Sequence, residues 1–286
     1  MWYKLFAFHL HTMLRKKSFF FALVVIVIIT AAISLSLIVG FRGIDRTVLS
    51  PAWVLWNGNI LINYHLPGII SDYAIRLNLL MSLIFPFLGA LTYADSYYDQ
   101  LRSGVIQEIL SRSTRSAYYT SAALVVFLGA AVLTVVPYLF EQLLLLILCA
   151  GSAPQNAAGS SPLQDNWAYF MDLPTALWGL QANHPYLFNV LESLLNAIYI
   201  GAFSALTYAI SLYVHINRFL VLTLPTILLW IGLEYLFSML GLDSFTPRAA
   251  VINVWSVQYL VYFLALLLLV VLLLFGKCKK ARDVLA

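Results

Sequence analysis

The stretch Ser18-Phe-Phe-Phe-Ala-Leu-Val-Val-Ile-Val-Ile-Ile-Thr-Ala-Ala-Ile-Ser-Leu-Ser-Leu-Ile-Val-Gly40 decides the fold class of this chain. Its 23 residues carry no charge, and its few polar groups are small hydroxyls that a helix can satisfy on its own backbone. About 20 apolar residues in a helix cross the roughly 30 Å of hydrocarbon in a bilayer. Working outward, the same kind of run recurs at Leu77–Ala94, Ala117–Cys149, Leu191–Val214, Phe219–Leu242 and Val257–Gly276. Composition agrees: 62% of the 286 residues are hydrophobic and only 10% are charged. Such a chain has too few polar groups to cover the surface of a soluble domain, which excludes that class. The first run is too long for the apolar core of a cleaved signal, and no small-x-small site follows it, so it is expected to remain as a span.

The expected fold is therefore an all-α integral membrane protein of six transmembrane helices. Basic residues orient it. With the N-terminus inside, twelve of the sixteen Lys and Arg fall on the cytoplasmic side: Lys4, Arg15, Lys16, Lys17, Arg102, Arg112, Arg115, Arg218, Lys277, Lys279, Lys280 and Arg282. Arg42, Arg46, Arg76 and Arg248 remain outside, and both termini are expected in the cytoplasm. This asymmetry points to anionic lipid headgroups rather than nucleic acid as the partner of the basic charge. Three parts follow. Residues 1–17 form an amphipathic interfacial helix, with Trp2, Phe6, Leu10 and Met13 on one face and Lys4, Arg15, Lys16 and Lys17 as anchors. Residues 18–276 form the six-helix domain, and 277–286 a basic tail.

The third run exceeds a simple crossing and contains Pro137, which predicts a kink or a separate interfacial piece. Pro86 and Pro225 also lie inside runs and predict kinks. Long outer loops, 41–76 and 150–190, carry Trp53, Trp56, Trp167 and Trp178 at positions suited to an aromatic belt, and 243–256 has room for a re-entrant piece. Cys149 and Cys278 belong near opposite faces, which argues against a disulfide.

The one sizeable inner loop, Asp95 to Ser116, carries the most information. Leu101, Val105, Ile106 and Ile109 recur at helical spacing, with Arg102, Glu108, Arg112 and Arg115 on the remaining surface. A short amphipathic helix over about 99–112 either lies on lipid or inserts into a groove on a partner. The order of residues decides between them by likeness. Acidic residues closing the second span, then Gly104-Val-Ile-Gln-Glu-Ile-Leu-Ser-Arg112 and Arg115, resemble the permease (transmembrane) subunits of type 2 ABC exporters. That family often has a proline where Ser113 stands here.

The resemblance implies that Leu101, Gly104, Val105, Glu108, Ile109, Arg112 and Arg115 belong to a coupling helix docking on an ATPase subunit. It also implies that the first helix is an elbow helix touching the same ATPase. The assembly would be two permeases, identical or related, with two copies of a separate ATPase, multi-pass in a bacterial plasma membrane. No Gly-x-x-x-x-Gly-Lys-Ser/Thr phosphate cradle occurs, so ATP and Mg belong to the partner and this chain is not expected to be an enzyme or to bind a cofactor itself. The aromatic, weakly charged interior makes a membrane-active or antimicrobial peptide the first expected substrate, with lipids or lipophilic drugs next.

Ionisable groups inside spans are costly and mark candidate sites. Glu141 follows Pro137 by one turn. Glu234 lies two-thirds along the fifth span, where structural hydrogen bonding and a pathway role both stay open. Glu192 reads as an interfacial carboxylate near a helix N-terminus. Tyr199 and Phe203 are pathway candidates, although aromatic residues at helical spacing more often serve ordinary packing. His9, His11, His65, His184 and His215 show no metal-binding spacing. Two other classes remain open: a secondary transporter, which should show inverted repeats, and a membrane-embedded enzyme, which should show a catalytic cluster; neither signal is present.

Overall fold

A computed structural model describes residues 1–40, 83–148, 180, 184–214, 217–242, 245–247 and 256–280. Among them every regular element is helical. In chain order these are α1 (Trp2–Arg15), α2 (Lys17–Gly40), α3 (Ser96–Arg102), α4 (Val105–Ser111), α5 (Arg115–Leu148), α6 (Pro185–Ser211), α7 (Arg218–Pro225), a π-helical turn (Thr226–Ile231), α8 (Gly232–Met239) and α9 (Val257–Lys280). Residues 83–91 are helical too and lead through a turn at 92–95 into α3.

Five helices are long and apolar enough to cross a membrane: those spanning Lys17–Leu35, Arg115–Leu144, Tyr186–Ser211, Arg218–Met239 and Val257–Lys279. The chain has the architecture of a helical membrane protein. The remaining expected span, 77–94, begins outside the described residues, as do most of the two long loops and the segment 243–256.

Several boundaries differ from expectation for local reasons. The long third run is one continuous helix of 34 residues through Pro137, and no separate interfacial piece forms. Proline forfeits one backbone bond there, which a long apolar helix tolerates. At 1.5 Å per residue α5 is about 51 Å long, well beyond the hydrocarbon core. The fourth helix starts six residues earlier than expected, at Pro185, a residue whose fixed φ suits the first helical position. Lys277, Lys279 and Lys280 extend α9 rather than forming a tail, and 281–286 lie outside the described residues. In the first helix the buried positions are Leu5, His9 and Met13; of the expected stripe Met13 is buried, Phe6 and Leu10 pack partly against the core, and Trp2 is exposed and donates to Thr120 Oγ1 at 3.0 Å.

The chain divides into two compact units. The first comprises Met1–Val24, Ser82–Thr134 and Asn196–Ala286. Its core is unusually rich in tyrosine: Tyr93, Tyr97, Tyr118, Tyr119 and Tyr208 pack with Met13, Phe19, Ile106, Val125, Val126, Leu212 and Leu222. A buried phenol supplies apolar area together with one hydroxyl that needs a partner. The second unit comprises Val25–Met81 and Val135–Leu195. Its described polar side chains answer one another: Ser34 Oγ lies 3.2 Å from Glu141 Oε1, and Asn189 Nδ2 donates to Gln142 Oε1 at 3.1 Å.

Close approach of backbones is carried by small residues, as helix packing in lipid favours. At Gly201 a Cβ would lie 2.9 Å from both the ring and the carbonyl oxygen of Phe127. The carbonyl cannot move aside, so overpacking there should cost about 1–3 kcal/mol. Gly201→Leu is expected to lower the thermal midpoint of the detergent-solubilised chain, while a change at exposed Ile198 on the same helix leaves it in place.

Candidate functional site

The segment singled out by sequence folds as two short helices rather than one. Gly104 adopts φ +76°, a left-handed conformation that ends α3 and starts α4. A Cβ at Gly104 would meet nothing within 4 Å, so the glycine serves backbone conformation rather than space. The break divides the expected apolar stripe. Ile106 turns into the core at 4% exposure, and Ile109 packs partly against it. Leu101 (41%) and Val105 (38%) stay exposed beside Arg102, Gln107, Glu108 and Arg112. Glu108 and Arg112 approach to 3.7 Å, but both are largely exposed, so their pairing contributes little. Arg115 begins α5, half-buried.

A buried ion cluster fixes this segment. Asp95 holds the N-cap position of α3 yet makes no side-chain capping bond; its fully buried carboxylate turns to two cations instead. Lys16 Nζ reaches Asp95 Oδ1 at 2.7 Å and Asp99 Oδ2 at 2.8 Å. Arg218 Nη2 lies 2.5 Å from Asp95 Oδ2, although the alignment there is not that of a hydrogen bond, and Nη1 is 3.9 Å from Asp99 Oδ1. Lys16 is the single extended residue between α1 and α2, and Arg218 opens α7 behind its N-cap Asn217. Two carboxylates on successive turns of one short helix thus tie the beginnings of two apolar helices to α3.

A second layer of polar contacts backs the cluster. Lys16 Nζ sits 5.4 Å from the centre of the Tyr93 ring. Gln100 Nε2 donates to Tyr93 Oη at 3.1 Å, and the Tyr118 hydroxyl donates to Gln100 Oε1. Tyr93 Oη is in turn 3.0 Å from His9 Nδ1. The other ring nitrogen, His9 Nε2, is buried and has no hydrogen-bond partner. Burial pushes the His9 imidazole down to about 4. At the far end of α9, Lys277 Nζ donates to Leu212 O at 2.6 Å and lies 5.6 Å and 5.4 Å from the Tyr97 and Tyr213 rings.

The in-span candidates are dispersed. Tyr199 and Phe203 are fully buried, with Trp230 edge-on to both at 5.8 Å and 5.4 Å between ring centres, and Tyr199 also meets Tyr259. They form an aromatic packing cluster. Glu234 is half-buried on α8, Glu141 is buried against Ser34 in the second unit, and Glu192 lies two turns inside α6 rather than at its end. Among the described residues no group of three or more His, Cys, Asp and Glu side chains gathers where it could hold a metal ion. The arrangement positions helices.

Of the residues expected here from sequence, Leu101, Val105, Glu108 and Arg112 are exposed, whereas the ion cluster that holds the segment was not expected. Asp95 and Asp99 at i, i+4 after an apolar run were legible as acidic residues, but their cations lie 79 residues before and well over 100 residues after them. His9 gave no signal beyond its place on α1.

A scan against family models gives no match, and neither curated proteins nor solved structures supply one. What fold and site define is thus a helical membrane protein with a clasped, partly exposed helix–Gly–helix segment.

Two measurements probe the cluster. Lys16 bonds both carboxylates next to a fully buried charge, so Lys16→Met is expected to cost about 2–3 kcal/mol. Arg218 is nearly half exposed, so Arg218→Gln should cost at most about 1 kcal/mol. The reverse order of thermal midpoints would contradict the geometry. For His9, the unfolded chain takes up a proton near pH 6.5, whereas the native chain does so only near 4. Stability is therefore complete above about pH 6.5 and declines as pH falls toward 4, by roughly 3 kcal/mol. Unfolding of the His9→Gln variant should lose that part of the pH dependence.

Proposed function

We propose that this chain is the permease subunit of an ATP-driven exporter of the type 2 ABC class, with six spans and both termini in the cytoplasm of a bacterial cell. The observation that carries the reading is the α3–Gly104–α4 segment: rigidly clasped to two apolar helices, yet presenting Leu101, Val105, Glu108 and Arg112 outward. A soluble partner gripping that surface could move the helices behind it, because Lys16 and Arg218 leave little slack between them. In this reading Leu101 and Val105 fill a groove on a separate ATPase, and Glu108 and Arg112 supply polar contacts around it. Nucleotide binding in two ATPase copies would bias two packed arrangements of the paired permeases, as rigid-body switching requires. The second permease is either another copy or a related chain. An amphipathic or hydrophobic substrate, a membrane-active or antimicrobial peptide first and a lipid or drug next, suits the aromatic, sparsely charged helices.

The test uses the full chain coexpressed with an ATPase subunit that carries a phosphate-binding loop, sought among the products of neighbouring genes. Leu101→Asp and Val105→Asp lie outside the core, so both variants should keep the parental thermal midpoint. Ile109 is a poorer choice because it packs against the core. Each variant is expected to weaken co-purification at least about tenfold and to abolish permease-dependent stimulation of ATP hydrolysis. Assembly and stimulation at parental levels in both variants would sink the reading.

A further inference from the structure

The span that begins at Arg218 changes character halfway. In α7, Val221, Leu222, Thr223 and Pro225 are buried, and so are Thr226 and Trp230 in the turn that follows. In α8 no residue is buried. Between the two halves the backbone is π-helical over Thr226–Ile231, and the N–H of Gly232 bonds the carbonyl of Ile227, five residues back. Such a turn holds one residue more than the α-helix it interrupts. Pro225 stands at its entrance and offers no N–H to the carbonyl four residues earlier, which loosens the ladder at that point. Gly232 closes its exit, where a Cβ would come within 3.2 Å of Ile227 O. Trp230 is clamped between Tyr199 and Phe203. Four residues after Trp230, the helix carries half-buried Glu234, followed by Tyr235, Leu236 and Met239, which are exposed.

We propose that the π turn is a flex point that lets α8, and Glu234 with it, occupy two registers against the packed half of the same span. Expelling the extra residue shifts everything after the turn by one position, a rotation of about 100° and a rise of about 1.5 Å. The packed half resists this motion through Trp230 and the residues of α7, while α8 has no fully buried residue and only Leu233, Glu234 and Phe237 half-buried to repack. The rotation exchanges the surroundings of the one acidic side chain on this span, which gives the inserted residue a consequence for whatever Glu234 contacts. The proposal goes beyond the exporter reading and needs no partner subunit, so it stands or falls separately.

The test places spin labels at Tyr235→Cys and Leu260→Cys, both exposed, in full-length chain carrying Cys149→Ser and Cys278→Ser in lipid nanodiscs. Rotation by one residue moves a label on a helix surface by roughly 8 Å, so the parental chain should give two distances. Deleting Leu228 removes the extra residue while keeping the downstream face, and one distance should disappear. Gly232→Ala crowds the Ile227 carbonyl and should shift weight to the other. A single distance common to all three proteins, or two that survive the deletion in unchanged proportion, overturns the proposal. Should the deletion variant fail to fold, unchanged weights in Gly232→Ala overturn it alone.

Discussion

A carboxylate removed from water needs compensation, and Asp95 is removed completely. Its two oxygens take Lys16 on one side and Arg218 on the other, with Asp99 sharing both cations from the next turn of helix. The two cations stand where helices begin: Lys16 at the only extended residue between α1 and α2, Arg218 at the first turn of α7. Compensation of one buried charge therefore fixes three chain segments far apart in sequence. The cluster is not a large source of net stability, since desolvation consumes most of what Coulomb attraction returns. Its effect is on specificity: any arrangement that separates these segments leaves a charge buried alone.

Around the cluster the core is built from side chains that are apolar in bulk and polar at one tip. Tyr93 packs its ring beneath the Lys16 ammonium and offers its hydroxyl to Gln100 and His9, while Tyr118 completes Gln100. A hydroxyl or amide buried without a partner costs about 1–3 kcal/mol, so a chain of this kind favours one arrangement over near alternatives. The His9 Nε2 end of the chain is left unpaired, and there the balance turns against the charged imidazole.

How much was legible follows from range. Long apolar runs reveal spans because the required length is set by the bilayer, and five of them are helices of that kind. Their ends were less legible. Pro185 could begin a helix that hydropathy placed six residues later, and α5 continued through Pro137 because a single lost backbone bond does not outweigh 34 residues of apolar helix. In the 95–116 segment the periodic apolar residues were visible, but periodicity assumes an unbroken helix. The left-handed Gly104 resets the phase, so Ile106 turns inward while Val105 and Leu101 remain outside. The cations for Asp95 were beyond reach because nothing local to Lys16 or Arg218 marks them off from other basic residues flanking spans.

The same break explains why the exposed segment can be both short and firm. Helices of seven residues are far below the length at which a helix stands alone in water. Neither α3 nor α4 would persist on propensity, and Gly104 between them adds a conformational cost. They persist because Asp95 and Asp99 secure one helix by charge, and Ile106 secures the other by burial, leaving Leu101 and Val105 as surplus apolar area. That division matters for the function proposed above. A segment held by its own propensity could bend or fray when pulled, and would absorb motion. One held by its anchors, the charges of Lys16 and Arg218 and the burial of Ile106, has no independent equilibrium to fall back on, so a displacement imposed on its outer face is passed to Lys16 and Arg218, and through them to the helices that start there.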